Sequence, residues 1–462
     1  MENSYIVIPV FTDPFLHPLH KGNKLSFIYV REYDMRDTLG ETRIISELNP
    51  DCTEMCEDIS WLSEKKGLIV TPDSKTLQAI LPEFRCVLDV THAYWWLYNK
   101  PLDLNVRNNT IEFLSNKYYN VKKLNEIIPL MTHKEYCSEV CDRILDFLSK
   151  DLKTLMNDDS WFADEGSIEP LKAFYNIEKQ GIKVTDDVSD IFDIRVKKHI
   201  SEGKLYSQYN LLTTTGRPSN SFGTVNFAAL PLEKRKAFIP ENDYFVEFDF
   251  DAYHLRLIGN LVGFSFSVGE WEGKSVHEYF ANHYGCSYDD AKQKTFQILY
   301  GGIREEHKKL SSFFSKTYDY INKKWNEINK NKYVLTDIYN RKLLLNNYID
   351  LNRNKLFNYL IQAYETETNI KKILDIQDYL LGKHGGKVKK TKLVLYGYDS
   401  FLFDFAEEDG VEILKHIKKI LEDKYYWLPI NNRAEPPVEP YFITKSKMGY
   451  NYGEMKDITK RL

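Results

Sequence analysis

Tyr244 to Arg256 reads YFVEFDFDAYHLR, and the fold turns on how that stretch is parsed. Its first half is an apolar, aromatic run with the composition of a buried strand. It then delivers two carboxylates, Asp249 and Asp251, and turns helical through Leu255, Leu257 and Ile258. A strand that ends in a carboxylate presents it at the rim of a sheet, within reach of a metal or a phosphate. Lys392 to Phe405, KLVLYGYDSFLFDF, offers a second such rim. Two apolar runs flank Gly397, so the segment reads as a hairpin with Asp399 at the bend. Two aspartates so placed, separated by a helix-rich insertion, suit a two-metal phosphoryl-transfer site.

The chain has 462 residues, room for two or three domains, and 43% of them are hydrophobic, as in a globular protein with sizeable cores. No apolar run approaches the ~18 residues of a membrane span. The first residues lack the layout of a signal peptide, so the expected setting is cytoplasmic, host cytoplasm if a phage encodes the chain. The net charge of −5 does not announce a nucleic-acid binder, but a phosphate backbone needs only local basic surface. Arg195 to His199, Arg304 to Lys309 and Lys387 to Lys392 supply such patches, each of which also reads as a solvated helix face or turn. Of six cysteines, Cys52/Cys56 and Cys137/Cys141 form two C-x3-C pairs. That spacing suits a zinc site, but it also arises in any amphipathic helix. Free, reduced thiols are the default expectation.

Residues 1 to about 155 read as mixed α/β. Strands are expected at Ser4 to Val10, Leu25 to Val30, Gly67 to Thr71 and Cys86 to Val90. Helices are expected at Ser74 to Leu81, Val90 to Tyr98, Asn109 to Tyr118 and Lys134 to Lys150. An acidic stretch near Asn157 to Glu169 marks a boundary. Glu169 to Val184 then reads as a helix stopped by Gly181, with another from Asp186 to about Ser201. Gly216 and Pro218 bracket Arg217 in the loop LLTTTGRPSN, Leu211 to Asn220. In DAKQKTFQILYGG, Asp290 to Gly302, residues Lys292, Phe296 and Tyr300 recur every fourth position and share one helical face. A cation followed by two aromatics can hold a triphosphate at one end and a sugar and base at the other. An ordinary amphipathic helix with a snorkelling lysine has the same pattern.

Taken in order, TTTGRPS, DFDAYHLR, AKQKTFQILYG and YDS resemble the motif series of family A DNA polymerases, the bacterial polymerase I and bacteriophage type, from about Glu169 onward. The chain looks like a phage-type member. The resemblance implies a right-hand polymerase of α/β and α+β domains. Its palm would hold an antiparallel sheet, its fingers would be helical, and an RNase H-like, exonuclease-like α/β domain would precede it. The expected division is 1–155 exonuclease-like, 156–210 a reduced thumb and linker, and 211–462 palm and fingers, with fingers at about 263–335. Asp249 and Asp399 would hold two Mg²⁺ ions, with Mn²⁺ as a substitute. Lys292 matches a catalytic lysine that meets the triphosphate, and His277 a phosphate-touching histidine. Tyr300 matches a residue stacked near the templating base, and Phe296 one against the sugar. Arg217, Asn226 and Gln362 match contacts to the primer–template minor groove, and Arg341 lies near a template-side basic turn. The tail, KMGYNYGEM from Lys447, also resembles the family's ending.

Several positions depart from that pattern. Tyr288 stands where the finger helix usually has an arginine, so a triphosphate contact is missing or passes to another residue such as Lys294. His254 replaces a glutamate that narrows the sugar pocket. Tyr398 and Ser400 flank Asp399 in place of a groove-binding histidine and an auxiliary carboxylate. Only Lys183 to Thr214 is left for the thumb, which implies low intrinsic processivity or a replisome partner. No Asp-x-Glu occurs in residues 1–160, so the first domain is expected to lack proofreading activity, with Asp89 a remnant. The expected partners are primer–template DNA and dNTPs, with no membrane. A polymerase with relaxed sugar selection, used for priming or repair, is the first alternative. A non-catalytic replication scaffold is the second.

Overall fold

The structure, a computed structural model, describes residues 4–11, 13, 16–33, 42–44, 68–81, 87–100, 102, 133–157, 168–220, 225–266, 274–383, 385–423 and 442–462. The chain divides into two compact units. One comprises Met1–Leu212 with Ser219–Asn226, the other Thr213–Pro218 with Phe227–Leu462.

The first unit is built on five strands, β1 (Ser4–Phe11), β2 (Leu25–Tyr33), β3 (Thr42–Ile44), β4 (Ile69–Thr71) and β5 (Val87–Asp89). Their order is β3-β2-β1-β4-β5. The β1–β2 and β2–β3 pairs are antiparallel, whereas β1–β4 and β4–β5 are parallel. Ile6 and Val7 in β1 are fully buried, as befits a central strand covered on both faces. Helix α1 (Ser74–Ile80) follows β4 and α2 (Val90–Tyr98) follows β5, so each parallel strand feeds a helix. Asp89 sits at the second junction. It accepts from the amides of Thr91 and His92 at 3.0 Å and from Ser74 at 2.8 Å. It thereby caps α2 and satisfies an amide of α1, a sufficient structural reason for a buried carboxyl there.

Helix α3 (His133–Met156) buries Cys137 and Cys141 one turn apart. Both thiols are free, and burial pushes that of Cys137 up to about 12. They are packing residues; Cys52 and Cys56, and the helix expected at Asn109 to Tyr118, lie outside the described residues. Helix α4 (Glu169–Glu178) ends three residues before Gly181, which takes φ +61°. The helix expected from Asp186 to Ser201 is not continuous. Two single turns, Val188–Ile191 and Ile194–Lys197, give way to short strands at Ile200–Ser201 and Lys204–Leu205. The turn-forming Glu202–Gly203 pair, at φ +52° and +73°, closes a hairpin there that helical periodicity does not reveal.

The second unit is organised around β6 (Tyr244–Phe250), the middle strand of an antiparallel sheet. The chain leaves β6 into α5 (Tyr253–Leu261). It then passes through α6 (Val276–Tyr284), α7 (Tyr288–Gly301), α8 (Ser312–Asn331) and the long α9 (Arg353–Leu380). It returns as the hairpin β7 (Lys392–Tyr396) and β8 (Ser400–Phe405), then α10 (Glu412–Glu422), β9 (Thr444–Asn451) and β10 (Glu454–Asp457). The sheet order is β7-β8-β6-β9-β10. Phe248 and Phe250 of β6 pack edge-on against Phe403 and Phe401 of β8, cross-strand aromatic pairs that fix the register.

The helical insertion has its own core. Phe266, Phe280, Phe313 and Phe314 meet at ring separations of 5.1 to 5.6 Å. Ser275 caps α6 in a capping box with Glu278, and Ser287 caps α7. These caps hold the start of α7 in place and so set where its functional face begins.

Candidate active site

Register brings the two aspartates together. Asp249 of β6 pairs with Ser400 of β8 and, on the other side, with Lys445 of β9. The amide of Phe250 donates to the carbonyl of Asp399 at 2.9 Å. Asp399 therefore lies one residue before Ser400, the partner of Asp249, in the bend that enters the neighbouring strand, and adjacent strands run ~5 Å apart. The bend that delivers it is tight: Gly397 N donates to Ser400 O at 2.8 Å, and Tyr398 adopts φ +74°. A bulky residue in that region is a local strain that the surroundings must hold. Asn369 of α9 does so, its side-chain amide donating to Tyr398 O at 2.8 Å.

Both carboxyls of the pair are held above the ordinary carboxylate range. The carboxyl of Asp249 is pushed up to about 7, first by burial and then by Asp399 and Glu247, against the pull of Lys447 and Lys445. Asp399 is solvent-exposed at its tip, yet loss of surrounding water remains the main cause raising its pKa, followed by Glu365. Asp251 is a different kind of carboxylate. It bonds Lys445 at 2.7 Å and Arg256 at 3.3 Å, which outweigh burial and hold its pKa low. Two close carboxyls that resist losing their protons are the donor set a divalent cation would neutralise. No group of three or more His, Cys, Asp or Glu side chains able to hold a metal occurs among the described residues.

The same shift has a consequence for stability. The folded state holds a proton on Asp249 between pH about 4 and 7 that the unfolded chain releases, so stability falls as pH rises through that window. Asp249→Asn removes the burdened charge. In a chelator it should stabilise the fold by about 1–2 kcal/mol at pH 8, once solvent screening and the coupling to Asp399 are allowed for. The gain should shrink at pH 5. Equal denaturation midpoints for variant and parent at pH 8 would contradict this reading.

Helix α7 carries the second part of the site. Phe296 and Tyr300 stack in parallel planes 5.9 Å apart. His277 of α6 lies 6.0 Å from Phe296 and 5.4 Å from Tyr288, ring to ring. Burial, with Lys292 among the opposing charges, depresses His277 to about 4, so it is neutral at pH 7. Lys292 is exposed and has no ion-pair partner among the described residues. Lys294 instead lies 4.5 Å over the ring of Tyr284, away from the Lys292 face. His254, at the start of α5, meets α7 directly, with its Nδ1 2.6 Å from the hydroxyl of Tyr300.

The glycine loop completes the surroundings. Gly216 takes φ +80°, Thr213 Oγ1 donates to Arg217 O at 2.9 Å, and Thr215 Oγ1 donates to Gln362 Oε1 at 3.3 Å. The Arg217 guanidinium stacks 3.8 Å above the Tyr398 ring. Arg341 departs from its expected role on a DNA surface. It is 2% exposed, donates to Thr215 O at 2.9 Å and lies 3.6 Å from Glu367. Desolvation is tolerable because these acceptors surround it, and its place is beneath the loop. Asn226 is exposed in the first unit.

No family model and no curated protein matches the chain. Among solved structures it is similar to the POL domain of Pol1 from M. smegmatis, in complex with DNA primer-template and dNTP. The TM-score is 0.66 at 14% sequence identity, over 98% of this chain and 96% of that one. The fold is that of a DNA polymerase domain. Within this polymerase fold, the residues that sequence reasoning missed lie mostly on α9. Glu365, Thr366, Glu367, Thr368 and Asn369 are all buried, although such a polar run ordinarily marks a solvated helix face. The signal was its position in the middle of a long helix whose flanks, LFNYLI and IKKIL, are rich in large aliphatic residues. Lys445 was also missed, for want of any local pattern. Of the basic patches, Arg304 and Lys308 pair with Glu306 and Glu305, while Lys390 and Lys392 pair with Glu408 and Glu241. Part of the charge of each of these two patches is therefore met by a nearby carboxylate. No helix among the described residues is long and apolar enough to cross a membrane.

Proposed function

We propose that this chain is a template-directed DNA polymerase that extends a primer 3′ end from dNTPs. The observation that carries the reading is the placement of Asp249 near the end of β6 and Asp399 in the bend leading into the neighbouring antiparallel strand β8, both with raised pKa values. The sheet β7-β8-β6-β9-β10 serves as palm, and α6 to α8 as fingers. The short elements between Val188 and Leu205 stand for a reduced thumb, which favours a processivity partner. The ordered motifs favour a phage-type member.

Asp249 and Asp399 would hold the two divalent cations, which supply activation of the primer hydroxyl and neutralisation of the triphosphate. The remaining work belongs to the chain itself. Lys292 meets the triphosphate as a free cation. Neutral His277 donates a hydrogen bond beside it without adding charge. Phe296 and Tyr300 present their faces to sugar and base. Arg217 and Gln362, held by the glycine loop, and Tyr398 line the primer side, and Asn226 contacts the minor groove. Most of the rate enhancement is positioning and charge neutralisation.

The test is primer extension with Mg²⁺ or Mn²⁺, in separate dNTP and rNTP lanes at low enzyme excess. Extension with dNTPs is the expected result. No extension in either lane, by folded protein that binds primer–template, would overturn the reading. Preferred use of rNTPs would favour the relaxed-sugar alternative, which His254 motivates.

We further infer that the first unit is an exonuclease-like scaffold without proofreading. The mixed sheet supports the scaffold, and the three amide bonds of Asp89 support a capping role. A 5′-labelled primer incubated with either metal and no nucleotide should keep its length. Digestion that persists in Asp249→Ala would refute this.

A further inference from the structure

Glu365 is fully buried in α9, and neither of its carboxyl oxygens has a hydrogen-bond partner. A buried carboxyl without hydrogen bonds is costly, so what converges on it matters. Two groups do, both at Oε2: Arg217 Nε at 3.1 Å and His254 Nε2 at 3.4 Å. Each leads elsewhere. Arg217 covers the ring of Tyr398, the strained residue preceding Asp399. His254 reaches Tyr300 through its other nitrogen. Four residues along α9, one helical turn, Asn369 holds the carbonyl of Tyr398. One face of α9 therefore underlies both the Asp399 bend and the contact between α5 and α7.

We propose that Glu365 is a positioning residue that fixes the tautomer and orientation of His254, and through it the Tyr300 edge of the nucleotide pocket, so that sugar selection depends on Glu365. This rests on the polymerase reading above. The chemistry is that of an imidazole held from behind. A carboxylate facing Nε2 favours the proton there, which leaves Nδ1 as the acceptor for the Tyr300 hydroxyl. An acceptor at Nδ1 ties α5 to the last turn of α7, and the ring then stands as a fixed wall beside any sugar lying on the Phe296–Tyr300 face. Without Glu365 the ring samples both tautomers and turns. The Nδ1–H form cannot accept from Tyr300, the wall loosens, and a 2′-hydroxyl is less well excluded.

The experiment compares kcat/KM for dATP and for ATP on one template in wild type, Glu365→Ala and Glu365→Gln. The ratio of the two is unaffected by the folded fraction, since misfolding lowers both alike. Glu365→Ala should reduce discrimination against ATP by about tenfold, the size of one lost orienting interaction. Glu365→Gln, whose amide oxygen can face Nε2–H from the same place, should keep it within about threefold of wild type. A second readout does not use activity. In ¹⁵N-histidine spectra, assigned by difference with His254→Asn, the wild-type ring should be the Nε2–H tautomer and the Glu365→Ala ring a mixture. An unchanged ratio in Glu365→Ala of an active enzyme, or a wild-type Nδ1–H tautomer, overturns the inference and leaves the polymerase reading standing. Wild type that extends nothing sinks that reading, and the claim on sugar selection falls with it.

Discussion

Asp399→Ala should lower the rate of nucleotide incorporation by about 10³-fold or more, while the Kd for primer–template stays within about threefold of wild type. The two expectations come from different features of the residue. The residue is exposed at the bend between β7 and β8, and among the described residues its carboxyl bonds its own backbone. Removing it breaks no contact with the core, so stability should change by no more than ~0.5 kcal/mol. Its charge, however, is half of the Asp249–Asp399 pair at this rim. Neutralising the primer hydroxyl and the leaving pyrophosphate without it loses an interaction that grows as charge develops in the transition state. Single-turnover extension, with DNA affinity followed by fluorescence anisotropy, separates the two quantities. Incorporation within tenfold of wild type would remove Asp399 from the chemistry, and equal losses in rate and DNA affinity would point to misfolding.

The parts of the fold that were legible in the sequence are those where one local pattern decides. The run YFVEFDF is strand-like whatever it packs against, and the GYD bend between two apolar runs closes a hairpin; both form as read. The strands and capped helices of the first unit follow the same logic, down to Val90–Tyr98. Register carries more than either pattern. That Asp249 falls opposite Ser400 is set by Phe248 meeting Phe403 and Phe250 meeting Phe401 across the strands, and no count along the chain supplies that pairing. What could not be read are polar residues whose partners come from afar. Arg341 looks like surface in LTDIYNRKL, but its acceptors are Thr215 and Glu367. Glu365 looks like solvent-facing helix, but Arg217 and His254 meet it from two other segments. For such groups burial is decided by tertiary context, and amphipathic periodicity is silent.

Lys292→Ala should reduce kcat/KM for dNTPs by about 10²- to 10³-fold, with primer–template affinity unchanged. The size follows from how little else on that face carries positive charge. In the stripe Tyr288, Lys292, Phe296 and Tyr300, the lysine is the only cation. His277, beside it, is depressed to about 4 and stays neutral at working pH. Lys294 is turned onto the Tyr284 ring, and Lys445 is engaged with Asp251. On the proposed reading, an incoming triphosphate would rely on Lys292 and any bound cations, with no arginine at 288 to share the load. The conservative variant tests which duty matters. Lys292→Arg keeps the charge but does not readily give up a proton. If the lysine only holds phosphate, Arg should restore both KM and kcat to within a few-fold. If it also protonates the departing pyrophosphate, Arg should recover KM alone and leave kcat low. Steady-state kinetics over a dNTP series distinguishes the two. A Lys292→Ala enzyme whose kcat/KM stays within threefold of wild type would mean that the triphosphate does not lie on this helix face.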